Sequence, residues 1–145
     1  MDNPHGQEVE KIIEKAVFNE MISVEQLHTV VTSNPSNVML LDIRCASEQR
    51  EGIIPGSYLF PNDHNLADRK DTSIFRQCFH RLFHPEKFNP DLRYILICRS
   101  GPRTEIALQA FLEHGFAACE LIGGVLEWMR QGFALAPADE SLVIS

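Results

Sequence analysis

The sequence has no surplus of basic residues: 13 Lys and Arg against 20 Asp and Glu leave a formal net charge of −7. Nucleic-acid binding draws on a basic face that neutralises phosphates, so a nucleic-acid partner is not expected. An anionic membrane surface is disfavoured on the same ground. No apolar run approaches the ~20 residues needed to cross a bilayer. Residues Met1 to Lys15 carry acidic side chains and no apolar h-region, unlike a secretory signal. Cysteine is sparse and scattered: Cys45, Cys78, Cys98 and Cys119 form no C-x-x-C pair and no zinc-ribbon spacing. They read as reduced thiols of a cytoplasmic chain. His80 and His84 are four apart with Cys78 nearby, but without an acidic partner close in sequence they read as surface histidines. Neither metal nor cofactor is expected.

What is present is an ordinary globular composition, 44% hydrophobic and 23% charged over 145 residues, enough for one domain with its own core. Internal repeats, low-complexity tracts and linkers are lacking. Val9, Ile12, Ile13, Ala16 and Val17 recur at helical spacing and predict an N-terminal helix, with the first half-dozen residues disordered. A second helix is predicted over 24–32, with Ser23 as N-cap and Gln26 completing a capping box. The apolar runs 38–43, 57–60, 94–98 and 119–122 read as short strands. Pro55-Gly56 marks a turn, and helices follow the last two strands, stopping at Gly115 and near Gly132. The 61–92 stretch is the least readable part, helical from Thr72 to Phe83 with Phe75, Phe79, Leu82 and Phe83 on one face. Strands alternating with helices imply a mainly parallel sheet covered on both faces, with ligands outside the carboxyl ends of the strands. Cys98 and Asp42 both fall there.

The strand Tyr94–Cys98 runs directly into Arg99-Ser100-Gly101-Pro102-Arg103-Thr104 and then into a helical pattern. A cysteine there meets a helix N-terminus and two arginines, the setting that draws a thiol below its usual pKa near ~8.5. Converging loop N–H groups also suit an anion. Gly101 can take a positive φ, and Pro102 is preset to begin a helix. The plainer alternative is a packed, inert cysteine. Arginines at 99 and 103 are a poor setting for one, so Cys98 is the candidate nucleophile.

Four segments carry a resemblance. Leu41-Asp42-Ile43-Arg44, Gly52-Ile53-Ile54-Pro55-Gly56-Ser57, Cys98–Thr104 and Gly123-Gly124-Val125-Leu126-Glu127-Trp128 resemble the signatures of rhodanese domains, in the family's order, over about residues 20–135. The resemblance implies an α/β rhodanese-like fold: a five-stranded parallel sheet flanked by helices, with residues 1–19 as an N-terminal extension and 136–145 as a tail. It implies a sulfurtransferase in which Cys98 takes a sulfur atom from thiosulfate or a related donor and passes the persulfide to cyanide or a thiol, by ping-pong kinetics. Loop amides between Arg99 and Thr104, Pro102 excepted, would stabilise the outer sulfur. Arg99 and Arg103 would hold the anionic donor, with Asp42 and Arg44 in support and Asp42 orienting the loop through an arginine or hydroxyl. The family topology sets the 38–43 strand beside the cysteine strand, which makes Cys45 a candidate resolving thiol. Ile53 stands where many members have histidine, and Cys45 where many have glutamate.

Three other readings remain open: a non-catalytic binding or regulatory module, a persulfide carrier fed by a protein donor, and a cysteine-dependent phosphatase or arsenate reductase. The last uses a similar cradle with a longer loop between Cys and Arg. Here only residues 99–102 intervene, a size that suits a single sulfur atom. Trp128 reads as a core anchor.

Overall fold

The computed structural model describes residues 4–62 and 72–144. Part of the 61–92 segment, from 63 to 71, and the first three residues of the stretch expected to be disordered lie outside that range.

In chain order the elements are α1 (Pro4–Asn19), β1 (Met21–Ile22), α2 (Val24–Ser33), β2 (Val38–Asp42), α3 (Ala46–Glu51), β3 (Tyr58–Leu59), α4 (Ser73–Leu82), β4 (Arg93–Ile97), α5 (Pro102–Glu113), β5 (Ala117–Leu121) and α6 (Gly124–Arg130). The five strands form one parallel sheet in the order β1-β5-β4-β2-β3. The long apolar strand β4 lies at its centre, paired with β2 and β5, as expected of a strand apolar on both faces. The predicted capping box opens α2: Gln26 N–H donates to Ser23 Oγ at 3.2 Å, and Ser23 N–H to Gln26 Oε1 at 3.0 Å.

Period-two alternation along β4 divides the core. Tyr94 and Leu96 face one cluster with Phe60, Phe75, Phe79, Phe83, Phe88, Phe111 and Phe116. Ile95 and Ile97 face another with Val9, Ile13, Leu27, Val30, Val125 and Trp128. Helices α4 and α5 therefore cover one face of the sheet, and α1, α2 and α6 the other. The phenylalanines of α4 are core, and Trp128 is 2% exposed, anchored by Nε1–H donating to the Ala134 carbonyl at 3.0 Å.

Helix α1 already runs at Pro4, earlier than the half-dozen disordered residues expected, because its apolar stripe has a surface to cover. Val9, Ile13 and Ala16 are buried in the second cluster, and Glu10 pairs with Arg93 at the start of β4. Ile13→Ala is expected to cost about 2–5 kcal/mol in chemical denaturation, the range for truncating a buried isoleucine. A loss below about 1 kcal/mol would mark α1 as an appendage.

The tail also packs. Ile53 and Ala136 exchange backbone hydrogen bonds at 2.9 and 2.8 Å, and Ile144 N–H donates to the Leu59 carbonyl at 2.8 Å, so the chain end runs back to the β3 edge.

Candidate active site

The site is built where β4 stops. Ile43 N–H donates to the Ile97 carbonyl at 2.9 Å, and beyond this pair the chain leaves the ladder. The next two carbonyls, of Cys98 and Arg99, accept the N–H groups of Val125 and Leu126 at 2.9 and 3.0 Å. Those donors open α6 and have no partner inside their own helix. The docking brings Gly124 so close that a Cβ there would lie 2.5 Å from both carbonyl oxygens. Gly123 and Gly124 both have positive φ, 79° and 63°. The Gly-Gly pair therefore seats the cysteine loop on α6.

The loop turns at Gly101, whose φ of 130° favours glycine although the space around its missing Cβ is open. Its N–H donates to Cys98 Sγ at 3.0 Å. Pro102 begins α5 as expected. Thr104 departs from expectation: its N–H and its hydroxyl both donate to the Gly101 carbonyl, at 3.1 and 2.6 Å. It closes the first helical turn, and its amide does not reach toward the sulfur. Cys98 is wholly buried, Arg99 partly so, and Ser100 exposed.

Arg103 is held by α3, the helix that follows the neighbouring strand β2. Its Nη1 and Nη2 donate to Glu48 Oε1 and Oε2 at 2.6 and 3.0 Å, with side chains 12% and 8% exposed. Glu48 Oε1 also accepts the backbone N–H of Cys45 at 3.2 Å and its thiol at 3.3 Å. Arg103 thus carries a structural ion pair besides any role toward a donor. Asp42 is bonded to an arginine of its own segment, Arg44. It grips Arg44 through both oxygens, with Arg44 Nη2 to Oδ2 at 2.8 Å, and Arg44 Nη2 also donates to the Gly52 carbonyl at 2.7 Å. Gln49 Nε2 adds bonds to the Asp42 and Arg44 carbonyls at 3.0 and 3.1 Å. Asp42 and Arg44 therefore shape the 42–52 segment, which in turn presents Cys45 and Glu48 to Arg103.

Burial pushes the Glu48 carboxyl up, but the hydrogen bonds and charge of Arg103, with the Cys45 N–H and thiol, outweigh this and hold it at about 2. Burial likewise lowers the Arg103 pKa, and Glu48 outweighs it; the charges of Cys98 and Cys45 add to the rise. Both sulfurs thus lie in the field of one guanidinium. They are free thiols, like Cys78 and Cys119. Cys119 is inert by contrast, pushed up to about 12 by burial and by Glu120. Cys78 is buried while His80 and His84 are exposed, so the three do not converge. Among the described residues no three His, Cys, Asp or Glu side chains gather as metal ligands.

The depressed Glu48 pKa has a consequence for stability. Its contribution is complete above the ordinary carboxylate range and is lost as pH falls from about 5 to about 2. Glu48→Gln is expected to lower stability at pH 7 by about 2–3 kcal/mol and to flatten that part of the acid-unfolding curve. Parallel curves for wild type and variant would remove this assignment.

Beside the loop a cleft of about 310 Å³ opens between α3 and α6, lined by Arg44, Ser47, Glu48, Arg99, Leu126 and Met129 among others. Sheet order, glycine-led cysteine loop and Gly-Gly docking can be set against known proteins. The sequence profile of the rhodanese-like domain matches residues 23–131. The chain belongs to the rhodanese-like domain family. No curated protein matches it. A rhodanese-related protein from Thermoplasma volcanium aligns with a TM-score of 0.62 at 19% identity, over 81% of this chain and 97% of that one. A rhodanese-like domain protein from Staphylococcus aureus gives 0.59 at 20%, covering 81% and 98%. A protein from Rhodopseudomonas palustris described as a possible tyrosine phosphatase gives 0.62 at 20%, covering 88% and 93%. At these identities the likeness is one of fold.

Within this rhodanese-like fold the two departures from the family pattern have clear places. Ile53 is buried and bridged to Ala136, and Cys45 caps α3 beside Glu48. Glu48 escaped the sequence reading because its partner lies 55 residues away; its position three residues after the cap of α3 was the available signal. Among the described residues no helix is long and apolar enough to cross a membrane.

Proposed function

We propose that the protein is a sulfurtransferase that moves a sulfane sulfur through a persulfide on Cys98. The observation that carries this reading is a wholly buried thiol at the end of a central strand, its Sγ accepting the Gly101 amide inside a loop with only residues 99–102 between Cys98 and Arg103. The Cys98 thiolate attacks the outer sulfur of thiosulfate, the donor's S–S bond breaks, and sulfite leaves with the bonding pair. The persulfide then sits within the loop, where the Gly101 N–H and its neighbours offset the charge of the outer sulfur. Cyanide or a thiolate attacks that sulfur in the second half-reaction and restores Cys98.

Arg99 is the residue we assign to recruit the anionic donor, since it lines the cleft. Arg103, tied to Glu48, fixes the start of α5. Asp42 and Arg44 act at one remove by holding the segment that carries Glu48. Cys45 is assigned to this anchor, since its thiol already donates to Glu48.

The test is intact-mass analysis after incubation with thiosulfate. The wild-type protein should gain one sulfur atom, release an equivalent of sulfite, and lose the sulfur to cyanide. No adduct and no sulfite would reject the reading and turn attention to a protein donor or, through a phosphate-ester assay, to a phosphatase.

A further inference from the structure

We infer that the cleft between α3 and α6 receives the stem of the sulfur acceptor, and that Leu126 and Met129 select a thiol borne on an uncharged apolar chain. The inference rests on the sulfur-transfer reading above and names its acceptor class.

The cleft borders the nucleophile's own loop. Its wall includes Arg99, the residue bonded to Cys98, and the Arg99 carbonyl accepts the N–H of Leu126. A group reacting at the loop has this cleft as adjacent space. At about 310 Å³ it stands at the lower end of the range for small-molecule sites, roughly 300–1,000 Å³, which fits a short chain better than a folded partner.

The lining decides the chemistry. On the α3 side, Arg44 and Glu48 have their charges met by Asp42 and Arg103. On the α6 side the wall is apolar: Val125, Leu126 and Met129, with Leu135 beyond. Leu126 and Met129 are 38% and 44% exposed. Helix α6 already buries Val125 and Trp128, so these outward side chains are not needed for the core. Apolar groups left open beside a reactive loop gain when an apolar ligand covers them. Arg99 and Glu51 add one charge of each sign to the lining, so the cleft offers no net charge to an ionic tail.

In the step concerned, the Cys98 persulfide first takes a proton from solvent, and the acceptor thiolate then attacks its outer sulfur. A new S–S bond forms, the Cys98 Sγ–S bond breaks with its electron pair returning to Sγ, and the acceptor leaves as its own persulfide carrying the proton. The acceptor's thiol proton has already gone to solvent.

The test loads the full chain with thiosulfate, removes excess donor, and follows discharge by intact mass with three probes: cyanide, 1-butanethiol and 3-mercapto-1-propanol. The two thiols differ mainly in a terminal methyl against a hydroxyl. The wild-type protein should prefer the butanethiol about tenfold beyond the ratio measured on a small-molecule persulfide. The double variant L126Q/M129Q should lose that preference when each thiol rate is taken relative to the variant's own cyanide rate, with circular dichroism to report that it is folded. Equal wild-type rates for the two thiols, or a preference that survives the double variant, would overturn the inference while leaving sulfur transfer intact. A cysteine-containing peptide that discharges the persulfide through Leu126 and Met129 when butanethiol does not would overturn it in favour of a protein acceptor. Failure to form any persulfide would remove both readings.

Discussion

Cys98→Ser is expected to abolish persulfide formation and to lower sulfite release from thiosulfate by ~10³-fold or more, while changing stability by no more than about 1–2 kcal/mol. The two effects separate for a physical reason. A serine hydroxyl fits the same buried position and can accept the Gly101 N–H that now meets Sγ at 3.0 Å, so the loop keeps its closure. It does not ionise near neutrality and cannot carry a sulfane sulfur. No other thiol replaces it. Burial and Glu120 push Cys119 up to about 12, Cys78 lies buried on α4, and the Cys45 thiol donates to Glu48. Urea denaturation and intact mass on the same preparation check both halves. A Cys98→Ser protein that still gains sulfur would move the chemistry to Cys45, and Cys45→Ser in that background would then extinguish it.

The elements with a strong local signal were legible from sequence. The apolar run of β4, the cap of α2 and the glycine-proline start of α5 each state their structure within a few residues. Two elements had no such signal. Strand β1 is only Met21–Ile22, set off from α1 by Glu20 at φ 62°, too short for alternation to register. Helix α3 reads Ala-Ser-Glu-Gln-Arg-Glu and buries polar residues, Glu48 and Gln49, so its hydrophobic pattern is inverted. Those polar residues are what the site uses, which is why the loop's residues were identifiable and its support was not. The role of Arg103 followed the same division. Its charge was evident, but the carboxylate that engages it comes from a distant part of the chain. The apolar stripe of α1 was visible, whereas the cluster it covers depends on six other elements meeting there.

Gly124→Ala is the second large effect expected, and it acts without touching a reacting group. A Cβ at 124 would lie 2.5 Å from the carbonyl oxygens of both Cys98 and Arg99. Neither oxygen can retreat cheaply, since both accept α6 amides and the chain before them is fixed in the central strand. The φ of 63° adds the conformational penalty of a side chain in the left-handed region. The expected loss is about 2–4 kcal/mol of stability. Transfer activity should fall by ~10²-fold in the protein that remains folded, because a loop displaced by about 1 Å no longer presents its amides to the sulfur. Gly132→Ala supplies the control: its φ is also positive, at 90°, but nothing lies within 4 Å of the added carbon. It should show the conformational cost alone, with activity unchanged. If the two variants lose stability equally and neither loses activity, the close approach at 124 is not what seats the loop, and the α6 amides alone must hold Cys98 in place.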